Sequence, residues 1–245
     1  MEDDAMKSIV QINYGNEDDE DHLVVCVEEV LDAAYGCYIW PSALVMGDYV
    51  WYHRHDLFSN AVVLEMGAGT SLPSLILAKG QYASRLILTD LPSALPVIRS
   101  CLSCNNIEES DKLWVRPLLW GELGSEHGVD RLVEKVKAQW HTSVDYILGS
   151  DTFYDPADFE KLLMTVAYII LKHNPKCKFI TSYQERSAKR SIQYLLDRWQ
   201  LHCRLIPRDS FFNEDRFSGH EHPVAAKVNA GTLASVFLLE ISAKN

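Results

Sequence analysis

Apolar and polar positions along the chain divide it into short strands and helices that take turns. Residues 61–66, Ala-Val-Val-Leu-Glu-Met, form an apolar, β-branched run with one carboxylate near its end, the pattern of a strand buried on both faces of a parallel sheet. Residues 85–90, 113–115 (closing near 118–121), 144–149 and 177–182 read as further strands, and 201–206 and 233–241 as the last two. Between them the spacing changes to that of helices. One starts at Pro41 with Ala43, Leu44, Gly47, Val50 and Trp51 on one face, and is expected to lie beside the first sheet strand. Others run from Leu72, over 94–104, around 129–139 and over 187–199. A helix opened by Asp155-Pro156, with Asp155 as its N-cap, carries the stripe Phe159, Leu162, Leu163, Val166, Ile169 and Ile170. Strands alternating with helices predict an α/β fold built on a parallel sheet.

The two ends of this pattern differ from its middle. Residues 1–22 hold the run Glu17-Asp18-Asp19-Glu20-Asp21 and little that could pack, so they are expected to be an acidic, loosely attached arm, with residues 23–245 as one domain entered through a short strand at 23–27. Residues 207–232 join the last two strands, a length that in a compact domain is usually functional or mobile.

Composition narrows the class without naming a chemistry. Hydrophobic residues make up 47% of the 245 and charged residues 23%, ordinary for a globular chain. No apolar run approaches the roughly 18 residues of a membrane span, and MEDDAMKSIV lacks the basic-then-apolar order of a secretory signal, so no membrane partner is expected. The 23 Lys and Arg against 34 Asp and Glu give a net charge of −11, which disfavours nucleic acid and suits a basic protein partner. The six cysteines are scattered. Cys101 and Cys104 form a C-x-x-C with no second pair, and His220 and His222 stand alone in the long segment, so no metal is expected.

The candidate chemistry begins where the strand at 61–66 ends. Gly67-Ala68-Gly69 lets the chain turn sharply and lie close to a ligand, and Thr70-Ser71 can cap the following helix. A dinucleotide fingerprint would need a third glycine where Leu72 stands. Glu65 instead offers a carboxylate to a cationic amino group, and Asp90, ending the next strand, can accept from two ribose hydroxyls. After the fourth strand, Ser150-Asp151-Thr152-Phe153-Tyr154 places an acid and a phenol at the same sheet end, and Glu185 follows the fifth strand on that rim.

The chain resembles the methyltransferase-like family of class I S-adenosylmethionine-dependent protein N-methyltransferases. The resemblance rests on YIWP at Tyr38, LEMGAGTSLP, ILTD, LLWG, ILGSDTFYDPADFE and TSYQERSA, and spans nearly everything from Leu23 to Ile241. It implies a seven-stranded Rossmann-like sheet with helices on both faces and a reversed last strand. It implies S-adenosylmethionine as cofactor, held by Trp40, Glu65, Gly67, Ala68, Gly69, Asp90, Trp120 and Ser150, with Asp151, Tyr154 and Glu185 acting on the acceptor. It further implies an arginine of histone H3 as acceptor and residence in nucleus and cytoplasm. A lysine of a non-histone protein is the alternative acceptor; a non-catalytic module binding a transcription factor or chaperone is the alternative in kind.

Overall fold

The computed structural model describes residues 7–15, 21–30, 38–184, 191–212, 214–217 and 233–244. Its centre is a seven-stranded sheet made of β3 (Val62–Met66), β4 (Arg85–Asp90), β5 (Leu113–Pro117), β6 (Tyr146–Ser150), β7 (Lys178–Gln184), β8 (Leu201–Ile206) and β9 (Val236–Ala243). The spatial order is β5-β4-β3-β6-β7-β9-β8. β3 pairs in parallel with β4 and β6, β4 with β5, and β6 with β7, whereas β9 runs antiparallel to both β7 and β8. The last strand is therefore the reversed one. All five residues of β3 are buried, as its apolar run requires of a central strand with both faces covered.

Helices α1 (Pro41–Tyr52), α2 (Leu72–Lys79) and α3 (Leu95–Cys104) cover one face, and α4 (Val129–Trp140), α5 (Phe159–Tyr168) and α6 (Gln193–Arg198) the other. Strand order changes direction at β3, with β4 on one side and β6 on the other. Ligands of open α/β sheets bind in the crevice at such a point, beyond the carboxyl ends of the strands.

Three expectations are corrected. Residues 7–14 are not a loose arm: β1 (Lys7–Tyr14) pairs antiparallel with β2 (Leu23–Val30) along its whole length in a separate two-stranded sheet. Val10, Ile12 and Tyr14 alternate inward and are buried against the α1–α3 layer, so hydrophobic contact holds the strand in place. Residues 1–6 and 16–20 lie outside the described residues. Second, α1 packs over β6, β7 and β9 rather than beside β3. Its positions 41–50 are all buried because the sheet lies below it and the hairpin above, and a Cβ on Gly47 would come within 2.5 Å of the Tyr14 hydroxyl. Third, α5 begins at Phe159 with Asp158 at the N-cap position, so Asp155 does not cap it. Asp155 closes the turn before the helix, accepting the Ala157 amide at 2.9 Å.

Candidate cofactor and acceptor site

The glycine turn has the backbone its sequence calls for. Gly67 (φ +61°) and Gly69 (φ +51°) sit in the left-handed region, where a Cβ is disfavoured. The turn is held from its neighbours: the Ala68 amide donates to the Thr89 carbonyl at 3.0 Å, the Gly69 amide to Asp90 Oδ2 at 2.9 Å, and Thr89 Oγ1 to the Glu65 carbonyl at 2.7 Å. A Cβ on Gly67 would lie 3.1 Å from Trp120 Cζ2 and 3.4 Å from Thr152 Cγ2, so the indole and the threonine methyl converge on this glycine. Ser71 occupies the N-cap position of α2 at φ +60°, but its hydroxyl makes no capping bond and is buried without a partner. The expected side-chain cap is absent there because a left-handed N-cap does not aim Oγ at the first amides.

Two carboxylates face this turn, and the protein leaves them unequally satisfied. Glu65 is buried and neither of its carboxylate oxygens has a hydrogen-bond partner. Burial pushes its carboxyl up to about 8; Ser74, which lies near it without hydrogen-bond geometry, pulls back only in part, and the Asp90 charge adds to the rise. Asp90 is also raised by burial, against the Gly69 and Leu91 amides, the latter donating to Oδ1 at 2.7 Å. Each Asp90 oxygen keeps a lone pair for a further donor. The residues fit S-adenosylmethionine on these grounds: a buried carboxylate lacking a partner suits an ammonium group, the second acid suits vicinal hydroxyls, and the glycines admit close approach of both.

The acceptor side is built from the next strands. Ser150 at the end of β6 lies opposite Ser182 of β7, and its buried hydroxyl has no partner. Asp151 follows at φ +58°, an unusual conformation for a residue with a Cβ, and is buried. Its amide donates to the Ser182 carbonyl at 2.8 Å and its Oδ1 accepts the Gln184 amide at 3.3 Å. Phe153 is buried against Phe159 and Phe179, fixing the loop from below, while Tyr154 turns outward, 40% exposed. The D-x-x-Y spacing thus presents one inward acid and one rim phenol. Trp40, half-buried, stands just before α1 with its ring 4.6 Å from that of Tyr38. Ser182 Oγ donates to the Ser42 carbonyl at 2.8 Å, so the start of α1 is tied to the strand that also anchors Asp151.

The structure therefore brings Glu65, Gly67, Ala68, Gly69, Asp90, Trp120, Ser150 and Asp151 to one end of the sheet, with Trp40 and Tyr154 at its margins. Glu185 lies outside the described residues, as do His220 and His222. Cys101 is a core residue whose thiol donates to the Glu28 carbonyl. Sequence reasoning missed Thr152, Ser182 and Gln184. Thr152 Oγ1 and Thr181 Oγ1 lie 3.3 Å apart under the loop. The available signal was the switch from apolar to small hydroxylic residues at the ends of β6 and β7, which marks where strands leave the core.

Comparison with known proteins follows the same lines. The profile of the family described as lysine methyltransferase matches residues 18–197. The histone-arginine methyltransferase METTL23 of Xenopus laevis is 38% identical over 209 residues, 84% of this chain and 82% of that one. The Mus musculus protein of the same name is 39% identical over 192 residues, 77% and 69% of the two chains. The protein-lysine methyltransferase METTL21E of Mus musculus is 32% identical over 137 residues, 55% of this chain and 52% of that one. Among solved structures, a SAM-dependent methyltransferase from Agrobacterium tumefaciens superposes with a TM-score of 0.54 at 12% identity, over 96% of this chain and 70% of that one.

Proposed function

Because the chain belongs to the METTL23 family of S-adenosylmethionine-dependent methyltransferases, we propose that it methylates the guanidinium of an arginine in a basic protein, histone H3 being the expected substrate. The cofactor supplies an electrophilic methyl group on its sulfonium. The chain's own residues then have three tasks. Glu65 and Asp90 hold the cofactor's ammonium and ribose, and the glycines and Trp120 shape the surface against it. Asp151 binds the acceptor's cationic head, keeps positive charge away from the nitrogen that takes the methyl and receives the proton that nitrogen gives up, which matters because a guanidinium is protonated at any working pH and its lone pairs are delocalised. Tyr154 walls the entrance.

The observation that carries this reading is Asp151 itself: a buried carboxylate in left-handed backbone, beside Thr152, which packs on the cofactor turn. Non-glycine residues persist in such backbone where the surroundings over-determine them, most often at functional sites. The arginine assignment draws on the names of the two METTL23 relatives. A protein lysine is the second reading, favoured by the family description and by the METTL21E name. Residence in both nucleus and cytoplasm is part of this proposal, the nucleus being where a histone substrate would be met.

The test is incubation of the purified chain and its Asp151→Asn variant with labelled cofactor and core histones, followed by mass spectrometry of the modified residue. Arginine methylation of histone H3, lost about 10²-fold or more in Asp151→Asn with cofactor affinity kept, is the expected result. Modification of lysine alone would replace the arginine assignment; parallel loss of turnover, cofactor affinity and melting temperature would make Asp151 a loop anchor.

A further inference from the structure

β2 carries a side chain that neither the cofactor nor the acceptor groups account for. Glu29 is completely buried, in a hairpin whose β2 strand packs on α2 and α3. A buried carboxylate survives where donors meet it. One of those donors is the Ile39 amide, 2.9 Å from Glu29 Oε1. Ile39 is itself buried and immediately precedes Trp40.

The segment it anchors has no helix or strand ladder of its own. Trp40 is extended (φ −80°, ψ 151°), as the residue before a proline tends to be, and α1 starts at Pro41. Two fixed points flank the indole: Glu29 one residue before it, and the Ser182 hydroxyl on the Ser42 carbonyl two residues after. The second leads directly to Asp151, whose amide donates to Ser182. The first leads to the hairpin. β2 is tied down in turn by Asn105, the residue just past the end of α3, which accepts the Cys26 amide at 2.9 Å and donates to the Cys26 carbonyl at 2.6 Å.

We propose that Glu29 is a positioning residue for cofactor binding: by holding the Ile39 peptide it fixes the conformation in which Trp40 meets the cofactor, so the N-terminal hairpin is a working part of the site. The proposal rests on the assignment of Trp40 to the cofactor and is independent of which residue accepts the methyl group. Without the carboxylate the Ile39 amide loses its acceptor, the Tyr38–Trp40 segment samples other conformations, and apparent affinity falls in proportion to the fraction that remains competent.

The experiment measures binding of S-adenosylhomocysteine by calorimetry, with melting temperatures, for the full chain and the variants Glu29→Ala, Glu29→Gln, Trp40→Ala, Glu29→Ala/Trp40→Ala and Ile12→Ala. Glu29→Ala and Trp40→Ala should each weaken binding about tenfold, and the double variant no further than Trp40→Ala alone, because the two act in series. Glu29→Gln, which keeps Oε1 as an acceptor, should restore affinity to within about threefold of the unaltered chain. Ile12→Ala, a cavity in the same hairpin, should lower the melting temperature and leave affinity alone. Glu29→Asp withdraws the acceptor by one methylene and carries the expectation of Glu29→Ala should the alanine variant not fold. Unchanged affinity in Glu29→Ala or in Trp40→Ala, additive losses in the double variant, or an equal loss in Ile12→Ala at matched melting temperature would each overturn the proposal. Failure of the arginine reading would leave all of these measurements standing.

Discussion

Single residues at this site were legible in the sequence where their type is unusual for their position. Glu65 in an otherwise apolar strand, Asp90 at a strand end and two glycines between them state their chemistry by contrast with what surrounds them. Ser182, Thr152 and Glu29 did not, because a serine in a strand or a threonine in a loop is unremarkable and one glutamate of the pair Glu28-Glu29 looks like any solvated charge. Only packing shows that Glu28 reaches Lys7 and Ser100 while Glu29 turns inward to Ile39. Glu65 also yields a prediction in pH. Its carboxyl is held near 8 when the site lacks a cation, so it is largely protonated at pH 7. In the unfolded chain it would ionise near 4.5. Between those values the folded state binds more protons than the unfolded one, so this group makes stability fall as pH rises from about 4.5 to 8 and then level off. Pairing with the cofactor's ammonium, which itself titrates near pH 8, should draw the pKa down and release close to one proton on binding at pH 7. Calorimetry in buffers of differing ionisation enthalpy measures that number directly. Glu65→Gln should abolish the release and weaken binding about tenfold or more; equal proton release in both proteins would assign the titration to another group.

Elements were legible where apolar runs are long. The sheet strands and α2 to α5 follow from runs at strand or helix spacing, with ends shifted by a few residues, as at α5, where a turn closed by Asp155 precedes the helix. The hairpin was misread because the acidic run at 17–21 sets the character of the whole N-terminal stretch, while the period-two pattern Val10, Ile12, Tyr14 is only three residues long. Register explains what was hidden: β1 pairs with β2 from Lys7↔Val30 to Tyr14↔Leu23, and the buried side chains of both strands fall on the face toward α1, α2 and α3. Removing residues 1–15 should therefore act on stability rather than on substrate attraction. Three buried side chains at roughly 1.5–3 kcal/mol each amount to a large part of the 5–15 kcal/mol that typically holds a domain together. Urea unfolding should show a much lower midpoint or an unfolded protein, while Gln11→Ala, on the exposed face, should leave the midpoint in place. A truncated chain with the full-length midpoint would mean that β1 adds nothing to the fold.

At the scale of the whole molecule the remaining question is how a basic protein finds the site. The chain has 11 more acidic than basic side chains, and charge of one sign raises the encounter rate with the opposite sign over distances set by the Debye length, about 10 Å at 0.1 M salt. The run 17–21 holds five of these carboxylates, and its last member is already engaged: Asp21 pairs with Arg54 at 2.8 Å and His55 at 3.1 Å. Deleting the run would disturb both that contact and the hairpin that flanks it. Changing Glu17, Asp18, Asp19 and Glu20 to their amides is cleaner, since removing four negative charges takes the net charge from −11 to −7 without touching Asp21 or β1. If the acidic run recruits substrate by long-range attraction, KM for a basic protein should rise several-fold in this variant at about 25 mM salt. The difference should close at about 300 mM, where screening removes the attraction in both proteins. Cofactor affinity and kcat should not move at either salt, because Glu65 and Asp151 are buried and Asp90 is held by the Gly69 and Leu91 amides, so local contacts rather than the field of the run set their environment. An equal KM for the two proteins at low salt would show that recruitment depends on contacts at the rim, and a change in kcat would show that the run reaches the site itself.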